Sequence, residues 1–545
     1  MSRAESAAGE PGKAGQAGAI RTRDILLFTL AVFVLRALAS GVGTFMEGDE
    51  ISIASGIAAI ARDVPGVTYR YGVQFGYYRL VSTLTALFGG DLTRIPIVMS
   101  WLSLVSGVVI PVCGLFAFRT ELSVRERWLV AALLTANPII WLSARYGNTA
   151  MPSVACTALA ITILSNRPAL RGEVVAMLCF AIAITLRADA VLVSGGVFFL
   201  LWRHHRSFAR AAAPLAVVGG SILLLLLMLR AWDPYMASVA DALASHIANP
   251  IKTRFFDFLL WAISPFPLLY AAAGLRESQR TRPQVFLTLL AWVGPPFAFY
   301  FTNTTTPRYL LQGVVPLTLA GAIGMWSFVE SGGVRRVASM TIVFGLGFLH
   351  LFIGMSEFFP SKSRSFLKDA EIVSDDGRVW TGALLYKSYV RNRLTPGRLL
   401  KTHFHPSAGG EMSFAAAFDT LATGARRGQR VTVVGAAGYG NTMHFFAHLA
   451  GAQPDRAAPC ATWDSACTME LGGARLGILG IASLRGTDQA IDVQPGDEVW
   501  VIGRDSTTGI EELTAHLPAN FTLEPQRGWS SAPKLTRFIT RQRVS

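Results

Sequence analysis

Apolar residues come in long blocks, without the one-sided helical periods of a soluble protein. Apolar runs occupy 25–42, 95–118, 128–143, 149–165, 173–187, 189–202, 211–231, 256–275, 284–301, 309–328 and 337–357. About 20 apolar residues cross a hydrocarbon layer of about 30 Å, so the pattern predicts an α-helical polytopic membrane protein of about eleven spans. The pair 173–187 and 189–202 is short, and losing or gaining one span there inverts everything after it. Residues 1–23 are rich in Gly, Ala and Ser with no apolar period, and read as a disordered tail. A cleaved signal sequence is the competing reading of the first run, because Ala37-Leu38-Ala39 mimics a cleavage site. Its length and Arg36 favour an uncleaved span.

Beyond about residue 361 no run is long enough to span. Segments 430–434 and 498–502 read as buried strands, and 443–449 and 509–516 as short helices. Alternating strand and helix signals predict a small C-terminal α/β domain over 361–545, following a membrane domain over 24–360.

Composition agrees with the span pattern. Hydrophobic residues make up 52% of the 545 and charged residues 15%, against about 25% charged in soluble proteins. That excludes a soluble enzyme and a disordered chain. A net charge of +14 would suit a nucleic-acid binder, but the arginines sit mostly in short loops between apolar runs, where they orient spans instead. With the N-terminus inside, 17 basic residues fall on the inner side and eight on the outer side before the tail. The expected location is therefore the plasma (inner) membrane. The N-terminus is then cytoplasmic, and a long first outer loop (44–94) and the tail are extracytoplasmic. Cys113, Cys156 and Cys179 lie in apolar runs and read as packing residues. For Cys460 and Cys467 a disulfide and two free thiols both stay open.

Candidate chemistry gathers on the outer side. A connector longer than about 12–15 residues is usually structured or functional. The first outer loop begins with Glu47-Gly48-Asp49-Glu50, a set suited to accepting a proton or holding a metal, or simply to capping a helix N-terminus. Residues 51–60 and 74–88 read as helices lying on the membrane, the second with Tyr77, Tyr78, Leu80, Leu84 and Leu87 on its apolar side. Arg70, Arg79, Arg145, Lys252, Arg254 and Arg308 recur on the same side. Each alone would reach for headgroups; gathered around a cavity they would hold a phosphate. Arg187 and Asp189 flank a span boundary, where a functional site and a structural ion pair are both open readings. The glycines at 435, 438 and 440 lack the dinucleotide spacing, and His403/His405 and His444/His448 lack a recognised metal-ligand partner.

The layout resembles the polytopic GT-C glycosyltransferases that use lipid-phosphate sugars, especially protein O-mannosyltransferases and bacterial aminoarabinose transferases. Four features carry the resemblance. They are Asp49-Glu50 after the first span, the 137–148 stretch from Asn137 through Arg145 to Asn148, Thr185-Leu-Arg187-Ala-Asp189, and Thr306-Pro-Arg308-Tyr309-Leu310-Leu311. Asn148 departs from the family, many members of which have an acidic residue there. The resemblance implies inversion at an anomeric carbon. Asp49 would be the base and Glu50 the second choice. Arg70, Arg145, Arg308 and Tyr309 would bind the donor phosphate, and Arg187 and Asp189 would support the site. It implies a polyprenyl-phosphate sugar donor, a bilayer, and a glycan, lipid or protein acceptor; nucleic acid is not expected as a partner. Only Glu47-Gly-Asp49 approaches the metal-binding motif of the oligosaccharyl branch, so no metal or other cofactor is expected. A secondary transporter would show repeated halves, which are not found. A catalytically inactive assembly factor is the remaining alternative.

Overall fold

The computed structural model describes residues 20–38, 48–61, 72–144, 147–166, 168–248, 265–303, 310–330, 332–341 and shorter stretches between 372 and 542. The helices in chain order begin with α1 (Thr22–Leu38), α2 (Gly48–Ala61), α3 (Phe75–Leu87), α4 (Ile95–Phe116), α5 (Val124–Ala136), α6 (Pro138–Ser143) and α7 (Ala150–Ser165). They continue with α8 (Leu170–Leu186), α9 (Ser194–His205), α10 (Phe208–Met228), α11 (Trp232–Ala248), α12 (Pro265–Thr281), α13 (Pro283–Asn303), α14 (Leu311–Glu330) and α15 (Gly333–Thr341). Among the described residues α4, α10, α13 and α14 are long and apolar enough to cross a membrane. The last run expected to span, 337–357, lies outside the described residues after Thr341.

The helices form a bundle around α14, which is buried at every position from Leu311 to Met325. Small residues let its neighbours approach. A Cβ on Gly274 of α12 would lie 1.8 Å from the Ala320 carbonyl oxygen, and one on Gly324 would lie 2.1 Å from that of Tyr270. Membrane helices associate by such close backbone contact, because lipid offers no hydrophobic drive between them. Helix α10 is the opposite case: Val217, Leu224, Leu227 and Met228 are exposed, as suits a lipid-facing helix.

The continuous span expected over 128–143 is not observed. Pro138 lacks the N–H a helix interior needs but suits a first helical position. Helix α5 therefore stops at Ala136 and α6 starts anew. The Asn137 Oδ1 accepts from the Ile139 and Ile140 amides, both at 3.1 Å, and caps the second piece. Arg36, unusual in a span, donates to the Thr135 carbonyl at 2.9 Å and stacks 4.5 Å over the Trp141 ring, fastening α1 to α5 and α6.

The first-loop helices are where expected, but the apolar side assigned to α3 needs correction. Its buried face is Phe75, Tyr77, Tyr78, Val81 and Thr85, while Leu87 is 76% exposed. The reason is that α3 packs on the bundle instead of merely lying on a surface. Ile53, Ala54, Ile57 and Ala58 of α2 form one buried cluster with these tyrosines and with Leu186 of α8. A Cβ on Gly76 would meet Thr185 at 2.7 Å.

The end of the bundle away from α2 and α3 is closed by ion pairs. Arg203 meets Glu121 at 2.5 Å, Arg282 meets Glu126 at 2.7 Å, and His205 meets Glu173 at 2.9 Å. Glu126 also accepts from the Ser123 amide, completing a capping box at the start of α5.

In the tail, β1 (Ile372–Val373) and β2 (Val379–Trp380) form a small antiparallel pair. The others are β3 (Arg430–Gly435), β4 (Gln453–Pro454), β5 (Cys467–Leu471), β6 (Ala474–Gly480), β7 (Glu498–Ile502), β8 (Phe521–Pro525) and β9 (Leu535–Gln542). They make one sheet in the order β4-β5-β6-β3-β7-β9-β8. Central β3 is parallel to β6 and β7, and the remaining pairings are antiparallel. Val431 and Val433 join one buried cluster and Val434 another, so this strand is covered on both faces. Cys460, His403, His405, His444 and the glycines at 438 and 440 lie outside the described residues.

The crossing of α12 and α14 gives a direct test. Gly324→Leu overpacks a backbone contact and should lower stability by about 3 kcal/mol or more. Gly219→Leu on lipid-facing α10, where an added Cβ meets nothing, should be close to neutral. Thermal unfolding of the purified variants in detergent, compared side by side, reads the difference.

Candidate active site

The chain breaks where α8 ends. Arg187 leaves the helix in an extended conformation (φ −163°, ψ 116°), and a 3-10 turn over Ala188–Val193 leads into α9. This break turns two residues that a helix would splay apart towards one another. Arg187 Nε lies 2.8 Å from Asp189 Oδ2. Tyr300, near the end of α13, donates its hydroxyl to the same oxygen at 2.6 Å. Arg187 is only 7% exposed. Burying such a pair costs several kcal/mol per ion before the attraction is counted, so its worth lies in fixing geometry more than in net stability.

Three polar atoms nearby are buried and lack a partner among the described residues: Asp189 Oδ1, Gln312 Oε1 and Asn148 Nδ2. Each belongs to a residue otherwise held firmly. Gln312, in the first turn of α14, donates through Nε2 to Ser153 Oγ at 3.3 Å, and Ser153 donates to the Ala183 carbonyl at 3.0 Å. The Asn148 amide donates to Ser103 Oγ at 2.8 Å, and its Oδ1 accepts from the Ala150 amide at 2.8 Å. Native interiors leave few such groups unsatisfied. Two acceptors and one donor are thus without a partner among the described residues where α7 and α14 begin and α8 and α13 end.

Of the residues singled out from the sequence, the structure brings Arg187 and Asp189 together. Asp49 and Glu50 are placed by backbone only, in the first turn of α2, where the helix dipole favours negative charge. Helix α2 shares its buried cluster with Leu186, next to Arg187. Arg70, Arg145, Arg308 and Tyr309 lie outside the described residues. The loop carrying Arg70 is fastened just beyond it: the Gly72 amide donates to Ser238 Oγ at 2.7 Å, and the Phe75 and Tyr235 rings meet edge to face. Tyr300, Gln312 and Ser153 were not singled out. A tyrosine ending an apolar run reads as an ordinary membrane-interface anchor, and no local signal ties Tyr300 to an aspartate 111 residues away.

No protein-family model matches the chain, and no curated protein matches it by sequence. Solved structures do match. ArnT from Cupriavidus metallidurans bound to undecaprenyl phosphate superposes with a TM-score of 0.55 at 14% identity, over 95% of this chain and 98% of that one. The apo state of the same protein gives 0.56 at 14% identity over the same shares. A weaker likeness, TM-score 0.48 at 10% identity over 78% and 61%, is to the Archaeoglobus fulgidus oligosaccharyltransferase in complex with Zn and sulfate. The chain has the GT-C fold.

Asp189→Ala removes the carboxylate that faces a buried guanidinium and should destabilise by about 3–5 kcal/mol. Tyr300→Phe removes one hydrogen bond to a charged group, about 1.5–3 kcal/mol. Because both act on one carboxylate, the double variant should fall short of their sum, as a thermodynamic cycle on the purified proteins would show.

Proposed function

We propose that this chain, which carries the fold of an undecaprenyl-phosphate-binding membrane protein along nearly its whole length, is an inverting glycosyltransferase. It moves a sugar from a polyprenyl-phosphate donor to a glycan, lipid or protein acceptor of the cell envelope. The observation that carries this reading is a juxtaposition. The Asp49-Glu50 turn opens a helix packed on the same end of the bundle as the Arg187–Asp189–Tyr300 cluster and its unfilled polar atoms.

In this reading Asp49 takes the proton of the acceptor hydroxyl as that oxygen attacks the anomeric carbon, with Glu50 as second choice. The bond to the polyprenyl phosphate breaks on the opposite face. The departing phosphate is a stable anion, so it needs positive charge more than a protonating acid. Arg70, Arg145 and Arg308 supply that charge and Tyr309 a hydrogen bond. Arg187, Asp189 and Tyr300 hold the wall of the site in shape. Neither proton transfer nor phosphate departure requires a metal here. The protein sits in the plasma membrane with its N-terminus cytoplasmic and its tail outside. The lipid tail of the donor lies in a groove between the helices, which accounts for an enzyme embedded in the bilayer.

The test is consumption of a panel of polyprenyl-phosphate sugars by protein in lipid, supplied with a cell-envelope acceptor. Wild type should release polyprenyl phosphate from one donor class, and Asp49→Asn should be slower by about 10²–10⁴-fold, the range of general-base catalysis. Equal release by both would transfer the role to Glu50 or elsewhere. No release from any donor by folded wild-type protein would contradict the transferase reading.

A further inference from the structure

We propose that Glu173, His204 and His205 form a binding site for a divalent transition-metal ion of the zinc class, at the end of the bundle opposite the candidate active site. Each residue offers one ligand atom, and the three atoms lie within 4.8 Å of one another. His205 Nε2 is 2.9 Å from Glu173 Oε2. Metal–ligand bonds of about 2 Å imply ligand separations of about 3–3.5 Å. The His205–Glu173 edge is therefore nearly closed already, and only the exposed His204 has to swing in. Two imidazoles and a carboxylate suit zinc, cobalt or nickel better than magnesium or calcium, which prefer all-oxygen sets. Three protein ligands leave a fourth position open to water.

The surroundings fit a cation. Both histidines sit in the last turn of α9, at the negative end of its dipole. The helix stops there because Arg206 turns left-handed, with φ 56°, and its amide folds back onto the Trp202 carbonyl. The adjacent Arg203 is engaged by Glu121 at 2.5 Å, which offsets its charge. Glu173 is only 7% exposed in the first turn of α8, while His204 gives an ion its way in from solvent. A bound ion would staple the start of α8 to the end of α9. Those helices carry Arg187 and Asp189 at their other ends. The site holds the hairpin in register and takes no part in any reaction, so it stands whether or not the chain transfers a sugar.

The experiment uses untagged, chelator-stripped protein in lipid, titrated with Zn²⁺ against a competing chelator and, separately, with Co²⁺ followed by visible absorption. Wild type should bind one more equivalent than the His204→Ala/His205→Ala variant. It should show the intense bands of a four-coordinate cobalt site that the variant lacks, and its thermal midpoint should rise with zinc. Glu173→Gln should weaken Zn²⁺ binding at least tenfold. His205→Asn, which can keep a hydrogen bond to Glu173, should match the metal-free wild type in stability yet lose the zinc-induced rise. Equal stoichiometry in wild type and variants, or no binding by wild type below millimolar zinc, would overturn the proposal and leave a plain histidine–carboxylate hydrogen bond.

Discussion

A charge inside hydrocarbon is costly unless it is paired or reaches an interface, and this constraint orders the bundle. Helix α13 shows it most clearly. Arg282, just before its first residue, pairs with Glu126, and Tyr300, near its other end, binds the carboxylate that Arg187 holds. Eighteen residues of helix separate the two points, about 27 Å at the usual rise, close to the thickness of a hydrocarbon core. The α8–α9 hairpin repeats the arrangement, with Glu173 and His205 at one end and Arg187 and Asp189 at the other. Between the two levels the contacts are apolar side chains and small-residue crossings such as Gly274 against Ala320.

Both levels carry unfilled buried atoms, Arg203 Nε and Nη1 at one and acceptors as well as a donor at the other, so the two ends differ in the kind of valence they offer. At the end with Arg203, Arg282 and their partners, the acidic groups are mostly taken up by arginine and by helix caps. At the other end Asp189, Gln312 and Asn148 each have a buried atom with no partner among the described residues. That end also receives α2 and α3, which the long first loop folds back onto α8 through Gly76 and Thr185. A lipid-borne substrate enters a protein sideways, with its polar head at an interface. A site at one level of the bundle, covered by helices that lie across it, suits such a substrate better than a midplane cavity would.

Much of this was legible from hydropathy, because membrane solvation makes the apolar run a strong signal. Helices α4, α10, α13 and α14 lie close to where the runs predict, and the break between α8 and α9 falls at the boundary between the runs 173–187 and 189–202. Strands β3 and β7 showed through their alternating valines. What stayed hidden depended on tertiary contact or on single residues inside long runs. Pro138 splits an apolar run that composition alone joins. The buried face of α3 is set by its packing on α2, α4 and α8, which no local period encodes. The β5–β6 hairpin turns on Gly472-Gly473, both at positive φ, a two-residue signal easily lost among 51 glycines. Tyr300 reads as an interface anchor until Asp189 is found beside it.

A structure of the protein in lipid with a polyprenyl phosphate added would locate the donor directly. Density for the phosphate should appear at the level of Arg187, Asp189 and Tyr300, beneath the first turn of α2, with the isoprenoid chain running between helices towards the bilayer. Phosphate density at the opposite level, beside Arg203 and Arg282, or a bundle with no lipid phosphate bound at saturating concentration, would contradict this placement.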